Sequence, residues 1–359
     1  MAKEISLESL YPGARQDTVD LNYQPAPAGL EVEKELTNGI VTIRVSSDGA
    51  ELTSIKKDAT RREYLWQADP KYWKRHSPVL FPIVGSVWDG EYRSKGQKDI
   101  LPQGAPWVPQ TFKLGQHGFA RDMVFTLIED QPDAEGNPQL LYVLKSSSET
   151  LQKYPYRFRL EIGYVLRGNA VEVIWRVMNP SREEELKFQI GAHPAFYWPL
   201  LTDEEVAAGV EAQDAALAKG SERGYFRLDG AAEVLRRSVI TEKGCVDPSQ
   251  SAEVRLEDGG FLPLTTETFG RDALIFEDSQ VQTVTLCDQD RKPYLTLQSE
   301  APLMGLWSPP GKNAPFVCIE PWYGRCDRVN YTGEYEQKDW IQTLAPLGIF
   351  EARYRIVLC

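Results

Sequence analysis

Histidine, long apolar runs and clusters of basic residues are all scarce in this sequence of 359 residues. Lys and Arg number 40 against 52 Asp and Glu, which gives a formal charge of −12. That acidic balance, without a basic run, argues against nucleic acid or an anionic membrane as a partner. No apolar stretch approaches the length of a membrane span, and Met1 to Glu8 lacks the apolar run of a signal peptide. We therefore expect a cytoplasmic protein that acts on a small, neutral molecule.

Several motifs that would identify other classes of protein are also missing. The five cysteines are odd in number and include no Cys-x-x-Cys pair, so neither a disulfide framework nor a zinc ribbon is predicted. The sequence has no Gly-x-Ser-x-Gly nucleophile motif, no phosphate-binding P-loop and no Rossmann glycine pattern. Reduced thiols are consistent with a cytoplasmic location.

Short strand patterns separated by turn signals occupy most of the chain. Asn38-Gly39 lies between two β-prone runs and predicts a hairpin. Strict alternation over residues 158–164 and 171–177 predicts an antiparallel pair with one solvated face. The one helical pattern covers residues 203–219, which we interpret as a short inserted helix. With no linker or repeat, the pattern predicts a single all-β sandwich domain over residues 30–359, with residues 1–29 as an arm packed on it.

Three polar residues each end an apolar run beside aromatic residues: His117, His193 and Glu320. Trp322 and Tyr323 follow Glu320, and their bulk predicts a desolvated carboxylate whose pKa is raised toward the range of a general base. The set is consistent with an acid/base site or with a two-histidine-one-carboxylate iron site. The absence of any closely spaced histidine pair speaks against metal. A residue of this kind taken alone is more often structural than catalytic.

Six stretches in fixed order resemble the aldose 1-epimerase family (galactose mutarotases), and most closely its LacX-like branch. They are YLWQ at 64–67, WKRHSPVLFPIVG at 73–85, QHGFARD at 116–122, GAHPAF at 191–196, RDALIF at 271–276 and CIEPWYG at 318–324. Any one of them is a weak signal, whereas their joint order is specific.

The resemblance implies a large antiparallel β-supersandwich with the sugar in a cleft on its concave face. It also implies that Glu320 takes a proton from the anomeric hydroxyl while His193 gives one to the ring oxygen. His117 would then hydrogen-bond the ring oxygen or a neighbouring hydroxyl, and Asp272 would bind sugar hydroxyls. The implied chemistry is acid/base catalysis without a cofactor and without a metal.

The chain departs from the family pattern at Ser86, where relatives carry an arginine that binds a sugar hydroxyl. Arg75 and Arg121 are the candidates to replace that arginine, and His76 and Trp322 are further candidates for substrate contacts. The segments 90–116 and 203–221 are longer than is usual in the family, so we expect both to reshape the cleft.

The resulting prediction is a mutarotase that interconverts the α and β anomers of a hexose, as a monomer or homodimer. One alternative is a hexose-6-phosphate 1-epimerase, which would require an arginine-built phosphate site. The other is a carbohydrate-binding protein without catalytic activity.

Overall fold

The computed structural model describes residues 32–101 and 104–359, and most of their regular structure is β. The predicted arm at residues 1–29 lies outside the described residues. Every pairing between the described strands is antiparallel. The predicted all-β supersandwich is therefore confirmed. Within these ranges, no helix has the length and apolar character needed to span a membrane.

Nine strands form the larger of the two main sheets. In spatial order they are β17 (Phe261–Thr265), β14 (Glu222–Leu228), β19 (Thr283–Cys287), β20 (Pro293–Ser299), β24 (Ile349–Leu358), β10 (Ala170–Met178), β9 (Arg159–Arg167), β8 (Gln139–Lys145) and β7 (Thr126–Glu129). The alternation at 158–164 and 171–177 becomes β9 and β10, as predicted. The outer face of β9 is less solvated than expected, because Glu161 is buried there and paired with Arg159 and Arg176.

Eight strands form the second sheet, which carries the cleft. Its order is β16 (Val246–Arg255), β15 (Val234–Ile240), β18 (Leu274–Phe276), β21 (Leu303–Trp307), β22 (Phe316–Tyr323), β12 (Ile190–Ala192) and β4 (Val79–Leu80), and β13 (Ala195–Tyr197) also pairs with β22. Side chains from both main sheets belong to one continuous apolar cluster. The two sheets therefore pack face to face around a common core.

Smaller elements complete the described chain. They are a three-stranded sheet of β1 (Glu33–Thr37), β2 (Val41–Ser46) and β3 (Leu52–Lys57), the pairs β5 (Glu91–Ser94) with β6 (Gln110–Lys113) and β11 (Leu186–Phe188) with β23 (Gln342–Leu344), and the helices α1 (Ser148–Lys153), α2 (Asp203–Ala207) and α3 (Ala212–Ala218). The predicted hairpin at Asn38-Gly39 joins β1 to β2. The helix predicted over 203–219 is instead two helices, since the chain takes a positive φ at Gly209 between them. Helix α1 was not predicted.

Strand β22 connects the core to the cleft, because its successive side chains point to opposite faces. Val317 and Ile319 belong to the core cluster between the two main sheets, whereas Glu320 lines the cleft on the opposite face. The strand continues through Pro321 to Tyr323, so Glu320 lies within it rather than at its end as the sequence suggested.

A break in the partner of β22 accommodates both prolines of this region. β13 pairs with β22 up to Cys318 and β12 pairs with it from Trp322 onward, in the same register on either side of the break. Across the gap, the Ile319 amide donates a hydrogen bond to the Pro194 carbonyl. The backbone nitrogen of Pro321 points to the same side as that amide but has no N–H to donate, so no partner is needed there. This shared register places His193 directly opposite Glu320.

A buried ion pair supports one wall of the cleft. Lys338 and Asp327 are both at least 95% buried, and the ammonium group donates to the Asp327 carboxylate. The same carboxylate accepts a hydrogen bond from the Trp88 amide at 2.9 Å, and the Asp327 amide donates to the Ser86 carbonyl at 2.9 Å. The pair thereby holds the loop after Gly85 against the end of β22.

Replacement of Lys338 by Met should lower the free energy of unfolding by about 3–5 kcal/mol, because it leaves the Asp327 charge buried without its counter-charge. Urea denaturation measures the effect. The double variant Lys338→Met/Asp327→Asn serves as the control and should recover most of the loss, since the amide keeps an acceptor for Trp88 and carries no charge. A cost below about 1 kcal/mol for the single variant, as for an exposed pair, would contradict the assignment.

Candidate functional site

A cleft of about 570 Å³ opens on the outer face of the eight-stranded sheet. The residues that line it come from eight separated parts of the chain: Tyr72, Trp73, Lys74, Arg75, Val84, Gly85, Gln116, His117, Arg121, His193, Ile240, Gly244, Asp272, Ala273, Ile275, Trp307, Pro309, Pro310, Lys312, Glu320, Trp322 and Cys326. A cleft of this size with a few convergent polar groups is typical of a small-molecule site.

Glu320 and His193 form the centre of the cleft. The carboxylate Oε2 lies 3.3 Å from His193 Nε2, and the two side chains are 1% and 8% exposed. The backbone holds both residues firmly, since Glu320 faces Gly305 on β21 and the His193 amide donates to the Pro78 carbonyl at 3.1 Å. The two groups are therefore a preorganised pair within proton-transfer reach of a bound molecule.

His117 approaches this pair from a turn. Its ring lies 5.5 Å from that of His193, nearly perpendicular to it. The Gly85 amide donates to His117 Nδ1 at 3.0 Å, and the His117 amide donates back to the Gly85 carbonyl at 2.8 Å. Because Nδ1 accepts, a neutral His117 carries its proton on Nε2. His117 itself has φ of 65°, and Gly118 beside it has no room for a side chain, since a Cβ there would lie 2.2 Å from the Phe81 carbonyl oxygen.

Aromatic rings enclose His193 on two sides. Trp73 stacks on the imidazole with centroids 4.7 Å apart, and Trp307 meets it edge-on at 5.4 Å. Trp322 lines the cleft and packs against Gly191 and Gly305. A Cβ at either position would come within 2.6 Å of the indole, so glycine leaves the room that the ring needs. These rings displace water from the pair and restrict the rotamer of His193.

Burial dominates the electrostatics of the site. It raises the pKa of Glu320 well above the ordinary value, and the nearby Asp272 raises it further. Burial, followed by the positive charge of Arg121, lowers the pKa of His193 to about 3. Burial, with His193 and then the two arginines adding to the effect, also lowers the pKa of His117 well below its ordinary value. These pKa directions favour neutral His117 and His193 and a protonated Glu320.

Two arginines lie side by side at the rim of the cleft. Arg75 donates to the Asp122 carboxylate at 2.6 Å and to the Arg121 carbonyl at 3.4 Å. Arg121 donates to the Gln116 carbonyl at 2.6 Å, while its buried Nε has no hydrogen-bond partner among the described residues. Burial and then Arg75 lower the pKa of Arg121 to about 10. Both guanidinium-bearing residues thus line the cleft, whereas Ser86 is not among its lining residues.

The structure brings seven of the eight predicted site residues together in this cleft: Glu320, His193, His117, Asp272, Arg75, Arg121 and Trp322. Asp272 adopts φ of 77°, and its carboxylate accepts from the Ala273 amide at 2.8 Å. His76 is not among the lining residues; its Nδ1 lies 3.8 Å from the Glu51 carboxylate instead. We therefore leave His76 out of the proposed substrate contacts.

Several lining residues escaped the sequence analysis. Trp73 begins one of the six family-like stretches but was assigned no role, and Trp307 and Lys312 lie in none of them. The Pro309-Pro310 pair after an apolar run is a signal that could have indicated a shaped loop there. The segments 90–116 and 203–221 were both expected to reshape the cleft, and only the first contributes to its lining. Residues 203–221 contribute nothing to the described lining, and the 90–116 segment contributes only Gln116.

The chain contains only three histidines, so their protonation can be followed individually by NMR. We expect the ring signals of His117 and His193 to keep the shifts of neutral imidazole as the pH falls from about 8 to about 5, because burial holds both pKa values below that window. The Arg121→Met variant should raise both pKa values, since it removes a positive charge, whereas Arg121→Lys should change them less. A midpoint near the ordinary value of about 6.5 for either ring would contradict this electrostatic description.

Comparison with known proteins supports the resemblance found in the sequence. Residues 34–346 match the family model described as aldose 1-epimerase. The chromosomal and plasmid forms of Protein LacX from Lactococcus lactis subsp. lactis are each 31% identical over 328 residues, which is 90% of this chain and 98% of the relative.

Two solved structures share the fold over most of their length. A galactose mutarotase related enzyme from Lactobacillus acidophilus has a TM-score of 0.75 and 29% identity, covering 91% of this chain and 97% of its own. A galactose mutarotase-like protein from Lactobacillus casei ATCC 334 has a TM-score of 0.75 and 25% identity, covering 91% and 100%. Because the family model matches residues 34–346, this chain belongs to the aldose 1-epimerase family, in its LacX-like branch.

Proposed function

We propose that this protein is an aldose 1-epimerase that interconverts the α and β anomers of a hexose by acid/base ring opening and closure. The observation that carries the proposal is the buried Glu320–His193 pair, 3.3 Å apart, at the centre of the cleft. Family membership supports a sugar isomerase role, and the pair supplies the two groups such a reaction requires.

The polar atoms of the cleft suit a hydroxyl-rich ligand. Four buried atoms that line it have no hydrogen-bond partner among the described residues: Arg121 Nε, His193 Nδ1, Glu320 Oε2 and Trp322 Nε1. Buried polar atoms nearly always have partners. Sugar hydroxyls donate and accept at once, so they can satisfy such atoms, and Trp73 and Trp307 offer apolar surface to the C–H groups of a sugar ring.

Ring opening begins with His193 protonated and Glu320 ionised. The carboxylate takes the proton of the anomeric hydroxyl, the C1–O5 bond breaks with its electrons moving to O5, and the imidazolium protonates O5. Rotation about C1–C2 presents the other face of the aldehyde. The O5 hydroxyl then attacks that face, its proton returns to His193, and Glu320 protonates the new anomeric oxygen.

The pair carries one proton throughout this cycle, and only its location changes. Before a sugar binds, burial keeps that proton on Glu320 and leaves His193 neutral. The 3.3 Å distance between Oε2 and Nε2 lets the proton move to His193 when sugar hydroxyls stabilise the carboxylate. His117 donates its Nε2 proton to the ring oxygen or to a neighbouring hydroxyl, and Asp272 accepts from sugar hydroxyls.

The Glu320→Gln variant tests this assignment. It should lower the enzymatic excess over spontaneous mutarotation of α-glucose or α-galactose by about 10²–10⁴-fold, because an amide cannot take the anomeric proton. Polarimetry on freshly dissolved sugar gives the rate. Glu63→Gln is a matched control. Burial also raises the pKa of the Glu63 carboxyl, but this group accepts a hydrogen bond from Ser54 and does not line the cleft. Sugar binding without any rate excess in the wild type would instead favour the non-catalytic binding protein.

A specific observation favours the second candidate, a hexose-6-phosphate 1-epimerase. Four cationic residues line the cleft against two acidic ones, in a chain of net charge −12: Lys74, Arg75, Arg121 and Lys312 against Asp272 and Glu320. A phosphate bound between Arg75 and Arg121 would relieve their mutual repulsion through charge-assisted hydrogen bonds.

The ratio of kcat/KM for glucose 6-phosphate to that for glucose discriminates between the two candidates. If the arginines bind phosphate, Arg75→Met or Arg121→Met should lower the ratio by about 10- to 100-fold, the value of one or more hydrogen bonds to a charged group. Arg62→Met is the control. The side chains of Arg62 and Arg75 are equally exposed, at 19%, and each pairs with an aspartate, but Arg62 does not line the cleft. A ratio that neither cleft variant changes would exclude a phosphate site at this rim.

A further inference from the structure

A thiol that the proposed reaction does not use lies beside the catalytic pair. Cys318 precedes Glu320 by two positions on β22, so both side chains point to the same face of the sheet. One ligand atom from each of His193, Cys318 and Glu320 lies within 4.8 Å of the other two, and all three residues are buried. Among the described residues, this is the only such group of potential metal ligands.

Two polar atoms of the group lack partners. His193 Nδ1 and Glu320 Oε2 are buried without a hydrogen bond from the described residues. Nε2 and Oε2 are 3.3 Å apart, yet their alignment does not make a hydrogen bond. The two atoms that face each other, His193 Nε2 and Glu320 Oε2, thus have lone pairs that can be directed at one ion between them.

The spacing suits a tetrahedral zinc ion. With Zn–N and Zn–O bonds of about 2.0–2.2 Å and a Zn–S bond of about 2.3 Å, the N···O edge of the tetrahedron is about 3.3 Å and the edges to sulfur are about 3.6 Å. The observed N···O separation is 3.3 Å, and the sulfur needs to approach by about 1 Å at most. Because His193 and Glu320 line the cleft, water or a sugar hydroxyl can supply the fourth ligand.

We propose that His193, Cys318 and Glu320 form a binding site for a thiophilic divalent cation, with Zn²⁺ as its representative. The thiol releases its proton to water as the metal–sulfur bond forms, and the carboxylate and imidazole supply the other two bonds. Mg²⁺ and Ca²⁺ are excluded, because they prefer sets of oxygen ligands.

Occupation of this site makes the cation an inhibitor rather than a cofactor of the sugar chemistry. The bound ion engages both the base and the acid of the proposed ring opening, so metal and turnover exclude each other. This consequence depends on the proposed function, whereas the binding itself does not. The two can therefore fail separately.

Binding is tested on the full chain, stripped of metal, by calorimetric titration with ZnCl₂ and by the absorption spectrum with Co²⁺. We expect one Zn²⁺ per chain, together with the visible bands of tetrahedral cobalt and a thiolate-to-cobalt charge-transfer band. Cys318→Ala should abolish the charge-transfer band. It should also weaken Zn²⁺ binding by at least about tenfold, because loss of a residue that only hydrogen-bonds a metal ligand already costs that much. Cys326→Ala is the matched control, a buried cysteine that lines the same cleft but lies outside the group.

Three results would overturn the proposal: no Zn²⁺ binding to the wild type, unchanged affinity in Cys318→Ala, or an equal loss in Cys326→Ala. If Cys318→Ala does not fold, absence of the charge-transfer band in the Co²⁺-loaded wild type decides against the site by itself. Mutarotation assays with and without Zn²⁺ give the separate functional arm. A rate excess that saturating Zn²⁺ leaves unchanged would remove the inhibitory role even where binding is observed.

Discussion

The cleft depends on the burial of two ionisable groups opposite each other on neighbouring strands. An isolated carboxylate or imidazolium in such a place is strongly disfavoured, so Glu320 and His193 share one proton in the arrangement that carries no charge. The surrounding structure makes this possible because β22 packs Val317 and Ile319 into the core and turns Glu320 toward the cleft. Trp73, which stacks on the imidazole, maintains the low polarity that sets both pKa values.

The remaining electrostatics of the site follow from the same constraint. In the proposed mechanism, a bound sugar brings hydroxyl groups to atoms that the protein leaves unpaired, and the charged arrangement of the pair then becomes accessible. The charges of Arg121 and Arg75 disfavour an imidazolium at His193 and attract negative charge to the cleft. The proposal therefore links binding and activation through one proton.

Much of the fold and most of the candidate site could be predicted from the sequence, for identifiable physical reasons. Alternation and turn residues are local, so the strands around β9 and β10 were predictable. Short motifs likewise placed His117, His193 and Glu320. The position of Glu320 inside β22 was not predictable, because Pro321 indicates a strand end unless the partner strand is broken opposite it. His76 was misplaced since its contact with Glu51 joins residues that only the tertiary fold brings together. Trp73 and Trp307 were missed for the same reason.

The register of β22 with β12 and β13 has a consequence for how this architecture can vary. Glu320 and His193, the proposed acid/base pair, face each other because β12 and β13 share one register with β22, with His193 in the two-residue break between them. Insertions such as the one that contains α2 and α3 can therefore lengthen or shorten without disturbing the chemistry, while a one-residue slip within either strand would turn one group to the opposite face. If the proposed mechanism holds, the acid/base pair and the arginines at the rim lie on different parts of the chain, so we expect the rim to vary while the pair stays fixed.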